Sequence, residues 1–71
     1  MAMKEQLERL IDEMVTKGVR YDDAQREFEK KFIAQVLVKA DGNLGKAAGL
    51  LGIHRNTLAR KMSEYRLRRS A

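Results

Sequence analysis

Apolar residues recur at helical spacing in four blocks along the chain. In residues 3–16, Met3, Leu7, Leu10 and Met14 follow steps of four, three and four, with Ile11 alongside. That is a narrow seam of the coiled-coil type. Lys4, Glu5, Glu8, Arg9, Asp12 and Glu13 fill the other positions, and Gly18 supplies a left-handed residue to end the helix. A helix this short is marginal in water, so the seam predicts a covering surface, on its own chain or on another. The second block predicts an N-cap at Asp22, Gln25 as capping-box partner, Tyr21 as staple residue, and a helix running to about Ala40. Its first half sets Ala24 and Phe28 against Asp23, Arg26, Glu27 and Glu29. Its second half, from Phe32 to Val38, is apolar nearly all round. Such a segment must be covered on several sides. One side fits the first helix, another the C-terminal helices, and a third a copy of itself, as in a symmetric dimer.

Asp41-Gly42-Asn43 breaks the pattern: Gly42 ends the second helix and Asn43 caps a third. The third helix is expected over Leu44–Leu51, with Leu44, Ala47, Ala48 and Leu51 inward. Gly52 turns the chain, Ile53 is a buried plug, and a fourth helix starts after His54. It spans Arg55–Tyr65, with Leu58, Met62 and Tyr65 inward, and the basic tail 66–71 is expected to fray. Proline is absent and β-branched residues are few, so the fold class is all-α. The expected organisation is one domain, with dimerisation helices in 1–42 and a helix-turn-helix in 43–71.

Length sharpens the need for a partner. A chain of 71 residues hides only ~60% of its unfolded surface, which makes a lone core marginal. Cysteine is absent, so there is no disulfide, and the one histidine cannot build a zinc site. Oligomerisation is the remaining device. No run of about 18 apolar residues predicts a membrane span, and no signal peptide is visible. A cytoplasmic setting fits, at the nucleoid if the cell is bacterial.

Charge separates the two parts. Residues 1–42 carry eight Lys/Arg against nine Asp/Glu; residues 43–71 carry seven Lys/Arg against Glu64 alone. A basic end on a near-neutral scaffold suggests a polyanion partner. The segment 44–63, LGKAAGLLGIHRNTLARKMS, has helix-turn-helix spacing: Ala48 where two helices cross, Gly52 at the turn, Ile53 and Leu58 holding the second helix. Arg55, Asn56, Thr57, Arg60 and Lys61 make an acid-free face near the start of that helix, the end that enters a major groove first. Arg55 is the candidate for guanine, because its fork matches O6 and N7. Asn56 suits adenine or the helix cap, and Thr57 suits a phosphate or the cap. Arg60 and Lys61 reach backbone or groove edges. His54, Lys46 and the amides near Asn43 are placed for flanking phosphates. Lys17, Arg20, Lys30, Lys31 and Lys39, interleaved with acids, read as solvated surface.

Residues 21–67 resemble the DNA-binding domains of the Fis (factor for inversion stimulation) family. The resemblance is carried by GNLGKAAGLLGIHRNTLARKMSEYRL, from Gly42 to Leu67: Gly-Asn, a paired Ala-Ala, Leu-Gly-Ile, Arg-x-Thr-Leu and a basic end. It implies two interlocked N-terminal helices per chain in a dimer, helix-turn-helix units at its ends, and bent DNA. The family's DNA contacts fall here on Asn43, His54, Arg55, Thr57 and Arg60, with Lys46 and Lys61 adjoining. This chain departs from the pattern at Asn56, where glycine is common, and at Ala59, where an arginine contacts DNA in the family's global architectural member. Gly45 stands where a hydroxyl residue often meets phosphate. The hairpin arm that activates recombinase in that member has no counterpart, so recombination stimulation is not expected.

The function expected is thus double-stranded DNA binding by a homodimer, as a transcriptional regulator or DNA-bending nucleoid-type protein. Either a stand-alone regulator or the output domain of a larger activator fits. The alternative is a helical dimeriser whose basic tail binds an acidic partner or RNA. No nucleophile, phosphate loop or metal set appears, so no enzyme activity, cofactor or small-molecule substrate is expected.

Overall fold

The computed structural model describes residues 2–68. Four helices follow in order: α1 (Met3–Thr16), α2 (Tyr21–Lys39), α3 (Leu44–Leu51) and α4 (Arg55–Tyr65). No strand occurs among the described residues, and the fold is all-α with a helix-turn-helix at its C-terminal end. No described helix is long and apolar enough to cross a membrane.

The core belongs to the last three helices. Ile33 and Leu37 share one side of α2 with its C-cap Ala40, Ala47 and Ala48 lie on α3, and Leu58 and Met62 lie on α4; all seven are buried. Steps of four and three keep the α2 residues on one face. The two alanines let α3 approach its neighbours closely, and α3 packs on α2 on one side and on α4 on the other. Val36, Leu44, Leu51, Ile53 and Leu67 border this cluster half-covered.

Loop chemistry agrees with the sequence at three joints. After α1, Gly18 is left-handed, and Val19 N–H reaches back to the Met14 carbonyl at 3.0 Å. After α2, Gly42 N–H donates to the Leu37 carbonyl at 3.0 Å. After α3, Gly52 has φ 72, and Ile53 N–H donates to the Ala48 carbonyl at 3.1 Å. Each bond satisfies a carbonyl that a helix end leaves open. An alanine Cβ at Gly52 would meet no atom within 4 Å, so only its backbone conformation resists substitution. Gly52→Ala should therefore cost about 1–2 kcal/mol. The mirror case is Arg66, a non-glycine residue at φ 55 in the cap of α4. Arg66→Gly should stabilise by about 1 kcal/mol. Thermal melts followed by circular dichroism check the pair; equal midpoints for both variants would contradict this account of the turns.

Two expectations need correction. The second helix starts earlier than its sequence signals indicated. Arg20 is the N-cap without a side-chain bond, and its carbonyl receives Ala24 N–H at 2.8 Å. Asp22 accepts only from the adjacent Asp23 N–H at 3.0 Å, so the capping box with Gln25 does not form, and Tyr21 lies inside the helix, 83% exposed. Asp22 and Asp23 instead sit in the first turn, where negative charge complements the helix dipole. The tail also begins later than expected. Leu67 N–H donates to the Met62 carbonyl at 2.8 Å and its side chain packs on the core, so Arg66 and Leu67 close α4 rather than fray. Residues 69–71 of the expected tail lie outside the described residues.

The seam of α1 covers little. None of its residues is buried, and only Met14 reaches the half-buried class. Leu7, Leu10 and Ile11 of α1 face Phe28, Phe32 and Val36 of α2 across an open groove of about 770 Å³. The two phenylalanine rings lie 5.4 Å apart at 37°, and both remain about half exposed. Val38 is exposed on a further side of α2. The all-round apolar second half of α2 is thus only partly covered within one chain.

Candidate nucleic-acid interface

Helix α4 stands on α3 through Leu58, fully buried, and Met62. The spacing of these anchors turns Asn56, Ala59, Arg60 and Ser63 to the opposite side, all exposed. Arg55 is exposed at the first turn. Glu64 is the only acid in α4, so its N-terminal part carries positive charge together with the positive end of the helix dipole. The geometry can grip an anion or present planar donors to a flat, deep groove.

Both helix starts are held by candidate residues. Asn43 Oδ1 accepts the Lys46 N–H at 3.0 Å, the cap its residue type predicts. That amide is therefore already satisfied and is not a free donor for phosphate, contrary to its expected role; the Lys46 side chain remains exposed. His54 Nδ1 accepts the Asn56 N–H at 3.0 Å. This bond needs the lone pair on Nδ1, which leaves an Nε2–H as the outward donor. The cap of α4 is made by His54, so Asn56 and Thr57 do not serve as its side-chain caps. Asn56 is exposed and Thr57 half-buried.

Asn43, Lys46, His54, Arg55, Asn56 and Arg60 thus all reach the surface of the helix-turn-helix. Lys61 is drawn out of this set. Its Nζ lies 3.2 Å from Glu29 Oε1, and the pair is about one-third exposed. Tyr65, one turn further along α4, donates its hydroxyl to the same oxygen at 2.6 Å. Reading the sequence missed Glu29, which looked like one more solvated acid of an amphipathic stretch. The available signal was Tyr65 itself: an inward tyrosine needs a partner for its hydroxyl. The lysines read as solvated behave so at two positions, where Lys17 pairs with Glu13 and Lys31 with Glu27 on exposed helix faces.

The Glu29 cluster has a pH signature. The Tyr65 hydroxyl bond, against opposing desolvation and with help from Lys61, holds the Glu29 carboxyl below its ordinary 4.5. The bond to Glu29, with desolvation and the nearby Glu29 and Glu64 charges, pushes the Tyr65 phenol from 10.0 up to about 12. A lowered carboxyl contributes stability that is full above its unfolded value and is lost as pH falls through the folded one. A raised phenol contributes stability that is full below pH 10 and is lost as pH climbs toward about 12. Phenolate absorbance of the Tyr21→Phe protein should show Tyr65 ionising near pH 12, and Glu29→Gln should move that midpoint down. An unmoved midpoint would remove the cluster as the cause.

Among the described residues no group of His, Cys, Asp and Glu is arranged to hold a metal ion. A sequence profile described as "Bacterial regulatory protein, Fis family" matches residues 24–65. A protein of Xylella fastidiosa strain Temecula1, named as Fis-like and DNA-binding, is 47% identical over 47 residues, covering 66% of this chain and 52% of the relative. Its counterpart in strain 9a5c, with the same name, is 45% identical over the same length and shares. The chain spans about half the length of these curated relatives. No solved structure matches it.

Proposed function

This chain belongs to the Fis family of bacterial regulatory proteins, and from that premise we propose that it binds double-stranded DNA as a homodimer and regulates transcription or shapes the chromosome. The observation that carries the reading is the outer face of α4, where Arg55, Asn56 and Arg60 stand exposed on a helix pinned from behind by Leu58 and Met62. In this reading α4 enters the major groove. Arg55 contacts a guanine edge and Asn56 an adenine, while His54, Thr57 and Arg60 engage phosphates or groove edges. Asn43 and Lys46 meet the flanking backbone at the start of α3. Lys61 is engaged with Glu29 in the free protein and is a secondary contact.

The dimer half of the proposal is supported by the groove between α1 and α2. Its lining is almost wholly apolar, and covering a large apolar side chain contributes about 1.5–3 kcal/mol when complete. A second copy placed there about a twofold axis would bury the α1 seam and the Phe28–Phe32 ridge of both chains together. Two α4 helices would then approach successive major grooves, ~34 Å apart on straight duplex. A shorter separation requires bent DNA, with sequence preference arising partly from deformability between the half-sites.

Fluorescence anisotropy with mixed-sequence duplex tests the proposal. Affinity should fall with a log–log salt slope of roughly −5 to −9, for ~6–10 phosphates neutralised. Arg55→Ala and Arg60→Ala should each weaken binding by roughly 1–3 kcal/mol. Unchanged affinity in both variants, or a flat salt dependence, would favour a protein partner or RNA for the basic end.

A further inference from the structure

The helix-turn-helix is attached to α2 in an uneven way. Helix α3 packs on α2, and α4 packs chiefly on α3. Between α2 and the turn lies an open cleft of about 300 Å³, bounded by Phe28, Phe32 and Ile33 on one side and Leu51 and Ile53 on the other, with Glu29 and Lys61 at its rim. Apolar packing between α2 and α4 is thus confined to the core, where Leu58 and Met62 share a cluster with Ile33 and Leu37, and the outer side of the junction depends on polar contacts. The long-range side-chain hydrogen bonds of the described residues join α4 to α2: Lys61 Nζ to Glu29 Oε1 at 3.2 Å beside the cleft, and Tyr65 Oη to the same oxygen at 2.6 Å. The other side-chain hydrogen bonds link residues four or fewer apart.

Lys61 and Tyr65 are one helical turn apart, so a single carboxylate holds α4 at two heights. Both bonds end on the same carboxylate oxygen, so they draw one side of α4 toward a single point on α2. Glu29 also follows Phe28 directly, on the ridge that faces the open groove. The carboxylate therefore joins the helix that bears the basic face to the helix that bears the apolar one.

We propose that Glu29 is a positioning residue: by tying Lys61 and Tyr65 to α2, it fixes the tilt of α4 and thereby the separation of the two recognition helices. The part concerning separation rests on the dimer reading above; the part concerning tilt does not. Lys61 is then a structural lysine in the free protein, and its ammonium is not part of the open basic face.

The test uses the whole chain, which lacks cysteine. Spin labels on Lys30→Cys and Ser63→Cys, both exposed positions, report the α2–α4 distance when labelled chains are diluted with unlabelled ones. A label at Ser63→Cys alone reports the distance between copies. Expected is a narrow intrachain distribution that at least doubles in width in Glu29→Gln and in Tyr65→Phe, with helicity by circular dichroism unchanged. The between-copy distribution should broaden in parallel, and affinity for mixed-sequence duplex should drop about fivefold or more. A purely structural role would lower the melting temperature and leave both widths alone. Tyr65→Phe removes one hydroxyl and keeps the ring, so it decides the matter if Glu29→Gln fails to fold. Intrachain widths equal in all three proteins, or a broad distribution already in the unmodified chain, would overturn the proposal. A narrow intrachain distance that responds to both substitutions without any between-copy signal would keep the tilt role and remove the dimer.

Discussion

Leu58→Ala should abolish cooperative folding at physiological temperature. Leu58 is fully buried, and it secures α4 on α3 at the crossing marked by Ala47 and Ala48. Truncating such a leucine costs about 2.7–5 kcal/mol through lost burial and the cavity left behind. The total stability of a small domain is of similar size, about 5 kcal/mol at the low end. Among the described residues the core around this site holds only seven that are buried, three of them alanines, so little apolar burial remains once the leucine is truncated. Leu58→Ile, which conserves volume, should cost less than about 1.5 kcal/mol. Thermal melts by circular dichroism distinguish the two: the alanine protein should show no folded baseline, and the isoleucine protein a cooperative melt. A melt of Leu58→Ala lowered by only a few degrees would mean that the core is held elsewhere.

The second large effect is expected at the groove. On a free monomer surface, replacing two half-exposed phenylalanines by glutamate should change stability by about 0.5 kcal/mol or less at each site. On the proposed dimer the same change, Phe28→Glu with Phe32→Glu, places unpaired charge inside an apolar contact on both copies. Each uncompensated buried charge costs several kcal/mol. Dimer dissociation should therefore strengthen by about a thousandfold or more, equivalent to ~4 kcal/mol. Affinity for duplex should fall with it, because one helix-turn-helix would bind without its twin. Size-exclusion chromatography across a concentration series, paired with anisotropy, measures both. An unchanged elution volume with unchanged affinity would show that the ridge has no partner.

Sequence was most informative where one residue type has one job. Asn43, Gly52, the Ala47–Ala48 pair and Leu58 placed α3, the turn and α4 at the observed bounds. It was less informative where signals competed. Asp22 and Gln25 spell a capping box, yet the helix starts two residues earlier, closes on the Arg20 carbonyl and uses the acids for dipole complementarity. Leu67 looked like part of a basic tail because its charged neighbours outweigh it, although an apolar residue two beyond a helix end is the mark of this cap. Glu29 was hidden for a different reason. Its partners lie 32 and 36 residues away, and no local periodicity reports a contact at that range. The candidate face was legible as a list of residues, while the departure of Lys61 toward α2 required the packing of three helices.

Paired recognition helices require two copies to close over the α1–α2 groove before any nucleic acid is present. Sedimentation equilibrium of the unmodified protein at micromolar concentration, free of DNA, examines this directly. The expected result is a single species of twice the chain mass; a well-folded species of one chain mass would contradict it.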